Sequence, residues 1–124
     1  MNLNRENDLW TAFEHAEPED SACLDGWLLI WHVFRGVIAE RWEHRHDTPM
    51  FTHWMPMPRN EWIPTHRRVP TPADADVMHC VLAMNDEGTI RVTGWHQIRE
   101  NGPYTHWMHT PPPPADAKEY LRRF

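Results

Sequence analysis

The sequence predicts a β-rich protein, α+β at most, made of two similar small antiparallel β units and a short C-terminal helix. Three observations favour this fold: an internal repeat, a strand–turn–strand pattern in the second half, and 12 prolines among 124 residues. Proline lacks a backbone N–H and has a fixed φ, so it interrupts helices and ends sheet ladders. Short strands with stiff connections are therefore expected instead of long helices.

The internal repeat is most visible in the run Thr-His-Trp-Met, which occurs at residues 52–55 and again at 105–108. In both places an aromatic residue precedes the run and prolines follow it. The offset between the two runs is 53 residues (105 minus 52), and at this offset Trp42 also falls on Trp95. At an offset of 52 residues the matches are Trp10 with Trp62, Pro18 with Pro70, Gly36 with Gly88, and Ile38 with Ile90. We interpret the matches as a tandem duplication with a one-residue gap between Ile38 and Trp42.

The repeat divides the chain into a first β unit at residues 8–60, a second β unit at 61–114 and a C-terminal helix at 115–124. A unit of about 50 residues buries too little apolar surface to be stable alone. We therefore expect the two units to share one core, with approximate two-fold symmetry, inside one compact domain.

Residues 27–42 are ambiguous when read alone, because their apolar residues recur at the spacing of an amphipathic helix. The matching part of the second half instead predicts strands at 77–84 and 89–95 around the turn sequence Asn-Asp-Glu-Gly. Since the halves are duplicates, we predict that residues 27–42 form a hairpin that turns at Arg35-Gly36.

The C-terminal tail differs from the repeats. Its four consecutive prolines, Pro111–Pro114, predict polyproline II. Residues 115–124 predict a short amphipathic helix with Tyr120, Leu121 and Phe124 on its apolar side.

The repeated run has two possible interpretations. Side chains alternate between the faces of a strand, so Thr52 and Trp54 are expected on one face and His53 and Met55 on the other. In the first interpretation the tryptophans of the two runs are core anchors. In the second, the units carry matched pockets for a ligand or partner, because tryptophan is frequent at binding hot spots. The residues of this candidate site are Trp54, Trp107, His53, His106, Trp42 and Trp95.

Metal binding is not expected. The pairs His44-x-His46 and His106-x-x-His109 have usable spacing, but the paired Cys/His pattern of structural zinc is absent from the sequence. Gln97 and Pro56 also stand at the positions where the other half has His44 and His109.

No catalytic residue or cofactor is expected either, because the sequence contains none of the common catalytic motifs. The carboxylate pairs Glu19-Asp20 and Asp74 with Asp76 lie in proline-rich loops and are interpreted as solvated turn residues. Cys80 is expected in the core with Met78, Leu82 and Met84.

The charge and hydropathy patterns limit the partners. Twelve Lys and Arg oppose 18 Asp and Glu, giving a net charge of −6, which disfavours nucleic-acid binding. No apolar run approaches the ~20 residues that span a membrane. The N-terminus is polar and acidic, and two cysteines do not form a disulfide framework. We expect a cytoplasmic protein, monomeric or homodimeric, that binds neither nucleic acid nor membrane.

Residues 62–114 contain a further pattern: Trp62-Ile63, Val69-Pro70, the strand at 77–84, Gly88, Trp95 and the second Thr-His-Trp-Met run with its prolines. With this pattern they resemble a family of short, mostly phage- and prophage-encoded proteins, domain of unknown function 551. The first half matches less well: it keeps Trp10, Pro18, Gly36, Trp42 and the run itself, but lacks the Trp-Ile opening and the Arg-Val-Pro step.

The resemblance implies a phage accessory protein that acts in the cytoplasm of a bacterial host, and it supplies no reaction or catalytic residues. Three function classes follow. The first is a non-enzymatic protein that binds and inhibits a host protein, including a counter-defence inhibitor of the anti-CRISPR type. The second is a small-molecule or nucleotide-sequestering module with paired tryptophans. The third is a metal-dependent enzyme.

Overall fold

The computed structural model describes residues 9–43 and 48–124, and it confirms the β-rich fold. The strands of the first sheet are β1 (Thr11–Ala12), β2 (Trp27–His32), β3 (Gly36–Arg41) and β4 (Phe51–Met55). Those of the second sheet are β5 (Ile63–Pro64), β6 (Cys80–Asn85), β7 (Ile90–Gly94) and β8 (Tyr104–Met108). Three 3₁₀ turns, at Asp20–Ala22, Pro72–Asp74 and Trp95–Gln97, and the helix α1 (Ala117–Leu121) complete the described elements.

The two sheets have the same topology. The strand orders are β1-β4-β2-β3 and β5-β8-β6-β7, and every neighbouring pair is antiparallel. In each sheet the strand with the Thr-His-Trp-Met run lies between the short first strand and the first strand of the hairpin. The pairing of this strand with the first hairpin strand also contains a register shift in both sheets. The shift follows Trp31 in the first sheet and Met84 in the second. The sequence repeat is therefore also a structural repeat.

Residues 27–42 form the predicted hairpin and not a helix. β2 and β3 pair continuously from Trp27 opposite Arg41 to His32 opposite Gly36. Gly36 has a φ of +83°, a conformation that glycine adopts without steric cost, and this allows the tight turn. The helical spacing of the apolar residues is thus outweighed by the turn and the sheet pairing.

The ladder registers place the one-residue gap of the repeat earlier than the sequence alignment does. Leu29 pairs with Met55 as Leu82 pairs with Met108, so the hairpins already match at an offset of 53 (82 minus 29). The first strands match at 52, because Thr11 and Ile63 (63 minus 11) each pair with the tryptophan of their run.

The gap lies immediately before the hairpins. The N–H of Trp42 donates to the carbonyl of Gly26 (2.8 Å), and the N–H of Trp95 donates to that of His79 (3.0 Å). Gly26 and His79 are thus equivalent, and both have positive φ, +87° and +63°. The preceding 3₁₀ turns still match at 52, so residues 23–25 of the first half correspond to 75–78 of the second.

The predicted matches of Gly36 with Gly88 and of Ile38 with Ile90 are consequently wrong. The hairpin registers equate Gly36 with Thr89 and Ile38 with Arg91. Gly36 and Gly88 both have a φ of +83°, but they occupy adjacent positions of their respective turns. Residue identity alone could not distinguish these two positions.

The chain forms two compact units. Unit 1 comprises the described residues up to Met57 together with Pro112–Phe124, and unit 2 is Pro58–Pro111. The proline tail and α1 therefore belong to unit 1.

Both faces of the first sheet are packed. On one face Leu28 and Ile30 are fully buried and form a cluster with Trp54 and Trp42. On the other face Ala12 and Val33 pack with Tyr120 of α1; the remaining member is the half-buried Met50. Burial of apolar surface on this scale is the main contribution to the stability of such a unit.

The core of unit 2 repeats one of these clusters. Val81 and Ala83, the equivalents of Leu28 and Ile30, are fully buried with Trp107 and Ile98. Trp107 is fully buried in the cluster that contains the smaller side chains of β6, whereas Trp54 is only half-buried.

The tail helix is shorter than predicted. α1 ends at Leu121, so Phe124 lies beyond the helical stripe. Tyr120 is buried as expected, but Leu121 and Phe124 are 45% and 54% exposed, so the predicted apolar side is wrong for these two residues.

Candidate functional site

The tryptophans of the two repeated runs make matching hydrogen bonds. Trp54 Nε1 donates to the carbonyl of Ala16 (2.9 Å), and Trp107 Nε1 donates to that of Arg68 (2.8 Å). Ala16 and Arg68 occupy equivalent positions after the first strand of each sheet. The Arg68 guanidinium also lies 4.8 Å from the centre of the Trp107 ring. In each unit the tryptophan therefore hydrogen-bonds the sheet to the loop that follows its first strand. The side chain of Trp107 is also completely buried.

His53 is held between β4 and the C-terminal segment of unit 1. It is 1% exposed, its Nδ1 lies 2.8 Å from Thr52 Oγ1, and its Nε2 lies 2.8 Å from Asp116 Oδ1. The Tyr120 ring meets it edge-on with the centroids 4.6 Å apart. A buried polar ring is stable only when its nitrogens are hydrogen-bonded, and Thr52 and Asp116 satisfy both. No local sequence pattern predicts the contact with Asp116, because the two residues are 63 positions apart.

His106 repeats only half of this arrangement. Its Nδ1 lies 2.9 Å from Thr105 Oγ1, and the ring is half-buried. Thr–His bonding is therefore a property of the repeat, whereas the carboxylate partner belongs to unit 1.

The structure brings the predicted site residues together only in part. Trp42 and Trp54 pack against the same buried cluster in unit 1, and Trp95 packs against the buried cluster that contains Trp107 in unit 2. The histidine of each run points to the opposite face of the strand from its tryptophan, as the alternation predicts. Within each unit the tryptophans and the histidine thus lie on different sides of the sheet.

Of the two histidine pairs with ligand-like spacing, only His106 and His109 lie in the described part of the chain. His44 and His46 lie outside the described residues. His109 Nε2 is 3.0 Å from Asp74 Oδ1. Across residues 9–43 and 48–124, no group of three or more His, Cys, Asp or Glu side chains is positioned to hold a metal ion.

Asp74 is not the solvated turn residue that was predicted. Its carboxylate accepts two hydrogen bonds from Arg68 (2.9 and 3.2 Å) and one from the backbone N–H of Thr71 (2.8 Å), and its side chain is 13% exposed. These bonds, chiefly those from Arg68, hold the pKa of the Asp74 carboxyl well below its usual range. The 3₁₀ turn gathers donors around the carboxylate, which composition alone could not show.

Asp76 is also bonded and not solvated. Its Oδ1 accepts the backbone N–H groups of Met78 (2.9 Å) and Cys80 (3.0 Å), and its Oδ2 accepts the hydroxyl of Thr110 (2.8 Å). An aspartate that bonds to N–H groups a few residues ahead fixes a turn. The N–H of His79 further donates to the Asp76 carbonyl (2.9 Å).

This turn displays two apolar side chains, Val77 and Met78, which are 93% and 69% exposed. We call this pair the apolar tip. The predicted strand at 77–84 begins only at Cys80, because Asp76 and the positive φ of His79 turn the chain at this point.

The apolar tip coincides with the extra residue of the repeat. The equivalent stretch of unit 1, residues 23–25, is one residue shorter, and Asp25 is exposed there. Unit 2 therefore has a surface feature that unit 1 lacks. Val77 and Met78 continue the apolar pattern of β6 in the sequence, so the pattern predicts a strand and not an exposed tip. The sequence signal for the turn is Asp76, three residues before His79, which has a positive φ.

Cys80 is half-buried, and the prediction that it lies in the core with Met78 is wrong. Its thiol donates to the Met78 carbonyl at 3.4 Å, while the Met78 side chain points to solvent. Burial raises the pKa of the Cys80 thiol, so the thiolate is disfavoured.

No family model, curated protein or solved structure matches the chain, so the resemblance of residues 62–114 to a phage family stays a prediction. Within the described residues, no helix has the length and apolar character that crossing a bilayer requires.

Proposed function

We propose that this protein is a non-enzymatic phage or prophage accessory protein that binds and inhibits a host protein. A component of the host's defence against phage is the expected class of target, as for an anti-CRISPR inhibitor. The phage context comes from the resemblance of residues 62–114, and the binding function rests on the apolar tip.

The apolar tip supports protein binding because it combines exposure with a fixed backbone. Exposed Val77 and Met78 lose little conformational freedom of the main chain on binding, since Asp76 already holds the turn. Such preorganisation lowers the cost of association. Methionine also adapts its shape to an apolar pocket, so the expected contact is a groove on the target that receives both side chains.

The test is affinity capture from lysate of a bacterial host, with the full chain as bait. The informative variant is Val77→Ser with Met78→Ser, which removes apolar surface and retains the backbone bonds to Asp76. The matched control is Asp86→Ser with Glu87→Ser, two exposed residues in the hairpin turn of the same unit.

The proposal predicts one host protein that the wild-type chain and the control retain and the tip variant loses. The activity of that host protein should fall when the wild-type chain is added. Capture of the same proteins by all three baits, or a captured protein whose activity is unchanged, would contradict the proposal.

A further inference from the structure

Unit 1 carries a separate exposed apolar surface, formed by Phe34, Leu121 and Phe124. These side chains are 62%, 45% and 54% exposed. The rings of Phe34 and Phe124 meet edge to face, with their centroids 5.6 Å apart. We call these three residues the aromatic patch.

The backbone on the Phe34 side of the patch is fixed. The N–H groups of Phe34 and Arg35 both donate to His32 Nδ1, at 3.2 and 3.1 Å. Burial, followed by the charge of Arg35, lowers the pKa of His32, which favours the neutral ring that can accept these bonds.

The helix side of the patch is fixed as well. Tyr120 is buried, and its hydroxyl donates to a carboxylate oxygen of Glu14. Arg123 donates to the other Glu14 oxygen at 3.0 Å. The aromatic patch is therefore formed by the β2–β3 turn and the C-terminal segment that contains α1. Hydrogen bonds fix the backbone of both segments.

The charges beside the patch are mainly positive, although the whole chain has a net charge of −6. Arg35 follows Phe34, Arg122 follows Leu121, and Lys118 lies one helical turn before Arg122; all three are exposed. Of the nearby carboxylates, Glu14 is paired with Arg123, while Glu119 is exposed on α1.

We infer that the aromatic patch binds an acidic, apolar segment of a partner protein. Apolar side chains of the segment contact Phe34 and Phe124, and its carboxylates pair with Arg35 and Arg122. Charge complementarity selects such a segment over a basic one. An anionic membrane and a nucleic acid each present an extended array of negative charge, and their repulsion by a chain of net charge −6 exceeds that of a short segment with a few carboxylates, so a protein segment is the favoured ligand. The inference takes the ligand to be protein, as the proposed function does, but it is independent of the apolar tip.

The experiment is selection from a displayed library of random peptides on the immobilised full chain, which requires no host protein. Two double variants test the patch: Phe34→Ser with Phe124→Ser, and Arg35→Glu with Arg122→Glu. The control is Arg91→Glu with Arg99→Glu, which reverses two exposed charges in unit 2. Circular dichroism and thermal melting check that each variant remains folded.

We expect the selected peptides to combine Leu, Ile or Phe with Asp or Glu. Their affinity should fall about tenfold or more in both patch variants, as for loss of a hot spot, and should be unchanged in the control. The affinity should also fall with added salt.

Three results would overturn the inference. The first is that the wild-type chain enriches no peptides beyond those that the patch variants enrich, and the second is that the enriched peptides contain no acidic residues. The third is that the chain binds vesicles of phosphatidylserine and phosphatidylcholine and binds no peptides. The outcome is separable from that of the host-capture experiment, since the apolar tip is intact in both patch variants.

Discussion

Asp76 organises the apolar tip through three side-chain hydrogen bonds, to the N–H groups of Met78 and Cys80 and to the hydroxyl of Thr110. Replacement of Asp76 by Ala removes both acceptor oxygens, and with them all three bonds, and leaves the half-buried N–H of Cys80 without this partner. We expect the free energy of unfolding to fall by about 1–3 kcal/mol, as for unsatisfied polar groups in general.

Urea unfolding followed by circular dichroism measures this loss. Asp86→Ala, an exposed position in the hairpin turn of the same unit, is the control, with an expected change within about 0.5 kcal/mol. Equal stabilities of the two variants would show that Asp76 does not hold the turn.

Asp74 makes stability depend on pH in the acid range. Arg68, Thr71 and His109 bond the ionised carboxylate and keep its pKa below the ordinary 3.8. A carboxyl with a depressed folded-state pKa contributes its full stability above the unfolded-state value and loses it as the pH falls through the folded-state value.

The variant Asp74→Asn should therefore be less stable than the wild type at pH 7. The difference should shrink as the pH falls below about 4, where the unfolded carboxyl protonates. Parallel urea titrations across this pH range measure the difference. A difference that stays constant down to the lowest pH at which both proteins fold would contradict the assignment.

At the level of elements, β4 and β8 occupy equivalent places but are packed to different depths. Trp107 is fully buried with Val81 and Ala83, whereas Trp54 is half-buried against the larger Leu28 and Ile30. Both indole groups bond a loop carbonyl. The repeat therefore conserves the hydrogen bond while the core changes around it.

We expect Trp107→Ala to lower the free energy of unfolding by about 3–5 kcal/mol, the usual cost of deleting a buried tryptophan. Trp54→Ala should cost less, because less of its side chain leaves a cavity. Chemical unfolding of the two variants compares them directly. A larger loss at Trp54 than at Trp107 would mean that burial does not set the cost.

The sequence allowed prediction of those elements whose pattern is local or duplicated. The hairpin at 27–42 followed from its clearer copy around residues 85–88, and the alternation of faces in the repeated runs followed from strand geometry. The apolar tip was missed because Val77 and Met78 continue the apolar pattern of β6, and only the bonds of Asp76 end that pattern.

Tertiary contacts between distant residues were beyond sequence reasoning for a different reason. Asp116 bonds His53 from the proline tail, and nothing in either neighbourhood predicts this partner. The amphipathic pattern of residues 115–124 predicts a helix that runs to residue 124 with Leu121 and Phe124 on its apolar side. The structure ends α1 at Leu121 and leaves both side chains exposed.

At the scale of the whole molecule, the chain is acidic, with a net charge of −6, and its two units carry different apolar surfaces. Unit 2 displays the apolar tip, which coincides with the extra residue of its repeat, and unit 1 displays the aromatic patch beside exposed arginines. Duplicated scaffolds that differ at the surface suit a protein that acts by binding.

The most direct test of this account is a titration of the captured host protein's activity with increasing amounts of the chain. A non-enzymatic inhibitor should abolish the activity at about one chain per binding site once the concentrations exceed the dissociation constant. At concentrations near the wild-type dissociation constant, the Val77→Ser, Met78→Ser variant should require at least about tenfold more protein for half-inhibition, as expected when a binding hot spot is lost. Complete inactivation by amounts of chain far below one per binding site would show catalytic turnover and contradict the central claim.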